Sequence, residues 1–177
     1  MTNKTEIRFG GSGGQGVVLA AQIVGKAAVL DGRNALQTQA YGAEARGSMT
    51  KSEVIISNDK IGFPAVRRCN ILVAMNQESL NALIKDMKED GMVIVDSTNV
   101  TEFPETKAQV YKIPITETAK KAFGEAFYAN MIMLGIFAKL TNLVSRKAME
   151  GAIRESVSKK TLQNNIRAFQ KGLELNE

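Results

Sequence analysis

The stretch FGGSGGQGVV, residues 9–18, constrains the fold of this chain more than any other. It places five glycines within the seven positions 10–16. Glycine loses more backbone freedom on folding than any other residue, so such a cluster indicates a sharp turn or a close approach to another group. A short apolar strand, EIRF (6–9), precedes the glycines. The apolar pattern after them predicts a helix over 15–32 that Gly32 closes.

The composition argues against catalysis by this chain alone. Its 177 residues are 44% hydrophobic, which suits a single domain, 1–177, with an ordinary core. Histidine is absent and Cys69 is the one cysteine. These counts exclude Ser-His and Cys-His nucleophiles, an internal disulfide, and zinc or iron–sulfur sites built from several thiolates. We therefore predict neither a catalytic residue nor a metal ligand on this chain.

Charge and hydropathy favour neither nucleic acid nor membrane as a partner. The net charge of +5 is modest and its lysines and arginines are dispersed, which is typical of solvated helix faces. The first helix is apolar but is interrupted by Gln22, Gly25 and Lys26, which argues against a membrane span. No signal-peptide pattern begins the sequence, so we expect a cytoplasmic protein.

Alternation of short apolar runs with helical patterns predicts the fold class. Further strands are expected at 33–39, 51–57, 71–75, 92–96 and 108–115. A helix is expected over 76–91, ended by Gly91. From residue 116 the pattern is helical, with helices over 127–140, 145–157 and 161–173. The pattern predicts an α/β protein: a three-layer, doubly wound, mostly parallel sheet with a C-terminal helical segment.

The glycine cluster carries a phosphate-site pattern. Gly11, Gly13 and Gly16 fit G-x-G-x-x-G between a strand and a helix, where backbone N–H groups and the helix dipole attract an anion. Close helix packing is the alternative explanation. A P-loop would need Lys followed by Ser or Thr after the last glycine, but Val17 follows Gly16. An NAD site would need an acidic residue at the end of the second strand, and from that strand onward no Asp or Glu occurs until Glu44. The pattern itself indicates only a phosphate-bearing ligand.

A second polar segment, YGAEARGS (41–48), should lie at the same edge of the sheet. It follows the predicted second strand, and ligands of open α/β sheets bind at the carboxyl ends of the strands. Arg46 could clamp a phosphate, Glu44 could orient Arg46 or accept a hydrogen bond from the ligand, and Tyr41 offers a flat face and a hydroxyl. A simple ion pair between Glu44 and Arg46 is the alternative.

Together, GGSGGQGVVLAAQIV (10–24) and QAYGAEARGSMTKSEVIIS (39–57) resemble the gamma subunit of the 2-oxoacid:ferredoxin oxidoreductases. The same unit is an internal domain of single-chain pyruvate:ferredoxin oxidoreductases. The resemblance continues through ILVAMNQESL, GMVIVDSTNV, VYKIPITETA and YANMIMLG, so it covers nearly the whole chain. One departure is Ser48, where the family pattern usually has a second glycine after Arg-Gly.

This resemblance implies a role within a larger enzyme. Such enzymes oxidatively decarboxylate a 2-oxoacid with thiamine diphosphate, pass electrons through [4Fe-4S] clusters to ferredoxin or another acceptor, and transfer the acyl group to coenzyme A. The gamma-type unit resembles the part that binds coenzyme A. Alpha and beta subunits would then carry thiamine diphosphate, Mg²⁺ and the clusters, and a ferredoxin-like delta subunit could join them. The free-standing form, with NQESL and NMIMLG, looks most like the 2-oxoglutarate type.

The resemblance and the two motifs give the candidate residues for coenzyme A. They are Gly11, Ser12, Gly13, Gly14, Gln15, Gly16, Tyr41, Gly42, Glu44, Arg46 and Gly47. Two alternatives stay open from the sequence: a structural subunit without a ligand, whose glycines serve packing, and a stand-alone nucleotide-binding domain. Asn130, a lone amide in an apolar run, could hydrogen-bond backbone or a ligand, and the structural role is the one expected; Cys69 is expected to be inert.

Overall fold

A mixed β-sheet organises the protein in the computed structural model, which describes residues 4–41 and 49–175. Within these ranges the sheet has six strands in the order β2-β3-β1-β4-β5-β6. The strands are β1 (Lys4–Ser12), β2 (Asn34–Tyr41), β3 (Met49–Ser57), β4 (Cys69–Ala74), β5 (Met87–Asp96) and β6 (Gln109–Ile113).

The direction of the strands confirms the prediction of a mostly parallel sheet. β3 pairs antiparallel with both of its neighbours, β1 and β2. The pairs β1–β4, β4–β5 and β5–β6 are parallel. β3 alone therefore runs against the other strands, and the carboxyl ends of β1, β2, β4, β5 and β6 meet at one edge.

Helices cover both faces of the sheet, so the predicted three-layer α/β architecture is confirmed. α2 packs on one face, where Leu80 and Leu83 join Leu72 and Val93 in one apolar cluster. The larger cluster on the other face contains residues of all the remaining helices. None of the helices within the described ranges combines the length and apolarity that a membrane crossing requires. The helices are α1 (Val17–Leu30), α2 (Gln77–Leu83), α3 (Ile115–Phe123), α4 (Ala129–Thr141), α5 (Arg146–Ser156) and α6 (Leu162–Glu174).

The helix predicted over 76–91 is wrong in its second half. α2 ends at Leu83, a short 3₁₀ turn follows, and β5 already begins at Met87. Cys69 pairs with Met87, but Ile71 pairs with Met92, so β5 carries extra residues that bulge out of its ladder with β4. Gly91 lies in this bulge, where a Cβ would stand 2.8 Å from the carbonyl oxygen of Asn70. It is a bulge glycine rather than a helix cap.

α1 has the end that the sequence predicts. Gly32 has a φ of 77°, and its N–H donates to the carbonyl of Val29 at 2.9 Å. The polar side chains of Gln22 and Lys26 are exposed on the outer side of the helix. The rest of α1 is largely buried because the sheet lies on one side of it and α5 on the other.

Two glycines allow α4 and α6 to cross in backbone contact. A Cβ at Gly135 of α4 would collide with the carbonyl oxygen of Phe169 and with Gly172 of α6. A Cβ at Gly172 would likewise collide with the carbonyl oxygen of Ile132. Interiors are packed too closely to absorb such an insertion without moving backbone. The contact therefore fixes where α6 lies on α4.

We expect Gly135→Ala to destabilise the fold, because the new methyl group meets backbone rather than a movable side chain. The free energy of unfolding should fall by about 2 kcal/mol or more. Gly25→Ala in α1 is the matched control, since a Cβ there meets no atom within 4 Å. That variant should gain roughly 0.5–1 kcal/mol from helix propensity. Urea denaturation of both variants tests the crossing, and equal stabilities would contradict it.

Cys69 lies fully buried at the start of β4, beside Met87. Burial raises the pKa of its thiol to about 11, although the nearby Arg8 charge opposes the shift. A thiol held protonated at neutral pH is a poor nucleophile. Its position thus supports the expectation of an inert residue.

We expect iodoacetamide to label Cys69 only after unfolding. Because the pKa is raised in the folded state, the unfolded chain releases its proton first as pH rises. Stability should therefore decline from about pH 8.5, the ordinary thiol value, up to about pH 11. Denaturation at several pH values would measure the decline, and Cys69→Ala should lack this component. Rapid labelling of the folded chain at neutral pH would contradict the assignment.

Candidate functional site

The glycine turn, residues 13–16, connects β1 to α1 at the carboxyl edge of the sheet. Gly14 and Gly16 have φ values of 94° and 71°, which L side chains rarely adopt. Gly13 and Gly14 are exposed, whereas Gly16 is the half-buried residue that precedes the first turn of α1. The turn thus presents bare backbone to solvent directly above a helix N-terminus.

Side-chain amides hold the turn against the end of β4. The Gln15 Oε1 atom accepts from the Ser12 N–H at 2.7 Å, and its Nε2 donates to the Met75 carbonyl at 3.1 Å. The Gln15 N–H donates to the Ser12 carbonyl at 3.1 Å. Asn76, which caps α2 by accepting from the Ser79 N–H, also donates to the Ser12 hydroxyl. Ser12 and Gln15 therefore act within the turn to fix its shape.

The fold itself requires most of the glycines but not Gly13. A Cβ at Gly10 would lie 2.6 Å from Leu83 Cδ1, and one at Gly11 would lie 2.8 Å from Gln15 Oε1. At Gly16 a Cβ would collide with the Asn130 amide. At Gly13 φ is not positive and a Cβ would meet no atom within 4 Å. Neither a positive φ nor packing requires glycine at position 13, so the backbone there is open to the approach of an external group.

The turn occupies a topological switch point of the sheet. β1 and β4 are parallel neighbours, but α1 follows β1 onto one face and α2 belongs to the opposite face. A crevice forms where the connections from adjacent strands diverge, and open α/β sheets bind their ligands there. Met75 and Asn76, directly after β4, contact the turn at this point through Gln15 and Ser12.

The second predicted segment begins and ends beside the turn. In the sheet, Tyr41 at the end of β2 pairs with Thr50, which pairs in turn with Gly11; Met49 pairs with Ser12. The ends of the strands on either side of the segment therefore lie level with the glycine turn. Four of the predicted residues, Gly42, Glu44, Arg46 and Gly47, lie outside the described residues, as does Ser48.

Sequence reasoning missed a buried carboxylate at the same edge. Asp96, at the end of β5, has no exposed surface and accepts from the Thr98 and Thr116 N–H groups and from Asn99 Nδ2. Asn99 Nδ2 also lies 3.3 Å from the Met75 carbonyl. Because donors from the fold surround it, the Asp96 carboxylate is a structural anchor. The Asp-x-Thr sequence after an apolar strand is the signal that could have predicted it.

Asn130 has the contact expected of a structural residue. It is the second residue of α4, buried, and its Nδ2 lies 3.5 Å from the Gly16 carbonyl oxygen. The Asn130 side chain packs so closely against Gly16 that a Cβ at position 16 would have no room. Asn130 thus connects the turn to the helical layer.

The sequence and the fold of this chain are similar to those of known proteins. The family model for pyruvate ferredoxin/flavodoxin oxidoreductase matches residues 6–175. The 2-oxoglutarate synthase subunit KorC of Methanocaldococcus jannaschii is 46% identical, over 97% of this chain and 94% of the relative. The crystal structure of the keto/oxoacid ferredoxin oxidoreductase gamma subunit from Geobacter sulfurreducens is 42% identical, with a TM-score of 0.86 over 96% of each chain.

A more distant structure shares the fold. The 2-oxoglutarate:ferredoxin oxidoreductase from Magnetococcus marinus, with 2-oxoglutarate, coenzyme A and succinyl-CoA bound, is 22% identical. It has a TM-score of 0.88 over 98% of this chain and 31% of that one. The family match and the 46% identity to the M. jannaschii relative over nearly the full length of both chains confirm the resemblance found in the sequence. The chain belongs to the pyruvate ferredoxin/flavodoxin oxidoreductase family, as a gamma-type unit.

Proposed function

We propose that this chain is the coenzyme A-binding gamma subunit of a 2-oxoacid:ferredoxin oxidoreductase (EC 1.2.7.-), with 2-oxoglutarate as substrate. The observation that carries the proposal is the exposed glycine turn at the switch point, in which a Cβ at Gly13 would meet no atom of the fold. The name of the M. jannaschii relative supports 2-oxoglutarate. The coenzyme A bound in the M. marinus enzyme, which has the same fold, supports the ligand.

The turn would hold the pyrophosphate of coenzyme A by its backbone. Among the described residues, the N–H groups of Gly13 and Gly14 make no hydrogen bond, and those of the first turn of α1 have no acceptor within the helix. The partial positive charge of the helix N-terminus adds attraction for a phosphate. Gly13, Gly14 and Gly16 would approach the ligand, while Gly11, Ser12 and Gln15 keep the turn in place.

The segment between β2 and β3 would complete the site. We assign the Arg46 guanidinium to a phosphate, because its planar fork of donors matches phosphate oxygens. Glu44 would orient Arg46, and Tyr41, Gly42 and Gly47 would shape the segment around the ligand. The ends of the two strands that flank the segment lie level with Gly11 and Ser12, which supports this assignment.

The contribution of this chain to the reaction would be placement of the coenzyme A thiol. Holding a reactant beside its target replaces a bimolecular encounter and requires no acid or base from the binding subunit. Alpha and beta subunits, with a ferredoxin-like delta subunit where one is present, would supply thiamine diphosphate, Mg²⁺ and [4Fe-4S] clusters and deliver electrons to ferredoxin or another acceptor. We place this single-domain subunit in the cytoplasm, where its one thiol would stay reduced.

We expect Gly13→Asp to weaken coenzyme A binding at least about tenfold in the assembled, anaerobically purified enzyme, because a carboxylate would repel the phosphate. Folding should be unaffected, since the site is open. Gly62→Asp is the matched control: Gly62 is also exposed, without positive φ, and a Cβ there meets no atom within 4 Å. Titration with coenzyme A distinguishes the two variants. Unchanged affinity in Gly13→Asp would favour the purely structural subunit.

Arg46→Ala should also weaken coenzyme A binding, by roughly tenfold or more, because it removes a charge-assisted hydrogen bond. Arg146→Ala serves as control, since Arg146 is an exposed side chain on α5 paired with Glu150. The dissociation constants of both variants, measured in the assembled enzyme at two salt concentrations, give the comparison. Equal affinities would remove Arg46 from the site.

A further inference from the structure

A cavity of about 330 Å³ opens directly beside the glycine turn. Gly14 and Gly16 form one wall, and the opposite wall comes from the residues that connect α5 to α6 and from the start of α6, including Thr161 and Asn165. Asn130 of α4 also lines the cavity. No charged side chain is among its lining residues within the described part of the chain.

Two long helices begin at this cavity without a side-chain cap. α1 follows Gly16, which has no side chain, and α6 follows Thr161, whose side chain accepts no hydrogen bond from the helix N-terminus. Asn76 caps α2 and Ser145 caps α5, whereas α3 and α4 also begin without a side-chain cap. The first N–H groups of a helix need acceptors from outside it. Gly16 and Leu19, at the start of α1, line the cavity, so the free N–H groups of α1 lie at one of its walls.

Two buried carboxamides give the cavity acceptors as well. Asn130 and Asn165 are 6% and 3% exposed. Their Nδ2 atoms contact the carbonyl oxygens of Gly16 and Thr161, respectively, but within the described ranges no donor reaches either Oδ1. Within the described ranges, every side-chain N or O atom that is fully buried has a hydrogen-bond partner. Because neither Oδ1 has a partner among these residues, both oxygens retain contact with solvent. The cavity is the space that both residues line. Each oxygen can accept an N–H from a ligand.

We propose that this cavity binds the N–H-bearing part of coenzyme A next to the pyrophosphate, with Asn130 and Asn165 as acceptors. The inference rests on the function proposed above and adds to it a second contact region, on α4 and α6. Coenzyme A offers such donors in two places, the amino group of adenine and the amides of the pantetheine arm. Carboxamide oxygens accept from either, and an N–H group left unpaired in a closed site would weaken binding.

The position of the cavity fits a ligand whose phosphates occupy the turn. Gly14 belongs both to the turn and to the cavity wall, so a ligand can pass from one to the other without leaving the protein surface. Because the lining is uncharged, the cavity suits a neutral segment rather than a second phosphate. Phe127, 64% exposed, also lines the cavity and offers an apolar face.

Asn165→Ala in the assembled enzyme should raise the KM for coenzyme A about fivefold, the effect of one lost hydrogen bond, and leave kcat at saturating coenzyme A unchanged. The neighbouring Asn164→Ala is the control, because Asn164 contacts the Tyr128 hydroxyl and does not line the cavity. Competition by adenosine 3′,5′-bisphosphate and by 4′-phosphopantetheine identifies the donor: the Asn165 variant should lose affinity for only one of them. Unchanged affinity for coenzyme A and for both competitors would overturn the proposal.

Hydrogen exchange on the unaltered enzyme gives a test that needs no variant. Coenzyme A should slow exchange of the amides at 13–19 and at 158–165. Protection confined to 13–19 would overturn the second contact region and keep the glycine turn as the phosphate site. Absence of protection in both segments would overturn the proposed function as well.

Discussion

The shape of the candidate site depends on one carboxamide, that of Gln15. Its oxygen holds the end of β1 and its nitrogen holds the residue after β4, so it bridges two parallel strands where their connections diverge. The Met75 N–H donates to the Gly10 carbonyl and reinforces the same junction. A turn so rich in glycine would otherwise sample many conformations. Because the Gln15 side chain holds the turn in one conformation, the backbone N–H groups of the turn keep a fixed direction.

The glycine cluster packs closely against the protein on one side and leaves its backbone open to solvent on the other. On its inner side, Gly10, Gly11 and Gly16 allow Leu83, Gln15 and Asn130 to pack against the backbone. On its outer side, a Cβ at Gly13 would meet nothing. Of the two explanations that the sequence left open, close packing therefore applies to Gly10, Gly11 and Gly16, and under the proposed function the approach of a ligand would apply to Gly13. Gly10, Gly11 and Gly16 let the turn pack closely on both helical layers, and Gly13 lies on the side of the turn that faces solvent.

Local patterns predicted most of the fold, because most elements are specified by their own residues. The strands, α1 with its Gly32 end and the largely buried α4 follow from apolar periodicity and glycine signals. The prediction of a helix over 76–91 was wrong in its second half because a glycine in a strand bulge cannot be told from a glycine at a helix end by the neighbouring sequence alone. Its role depends on the register between β4 and β5, which is a long-range property.

The site could be predicted only where its residues are contiguous in sequence. The glycine turn is one segment, so its pattern was visible. Asn165 lies about 150 residues from the turn and has no local signal; its place follows from the crossing of Gly135 and Gly172, which sets α6 against α4. The buried Asp96 differs, because its Asp-x-Thr sequence is a local signal; only its long-range donor, Thr116 beyond the next strand, could not be predicted locally.

The proposed binding surface, made largely of backbone N–H groups and carboxamides, would explain how a chain without histidine can serve an enzyme. Neither kind of group titrates near neutral pH, so its hydrogen-bonding capacity would stay constant while acid–base and redox chemistry proceeds on the proposed partner subunits. Such groups are effective only when they are held in place, because their individual interactions are weak. The buried helices, the carboxamide bridge and the backbone contact between α4 and α6 supply that rigidity. The composition is therefore consistent with the proposed role, because a scaffold that places a reactant needs order more than it needs reactive side chains.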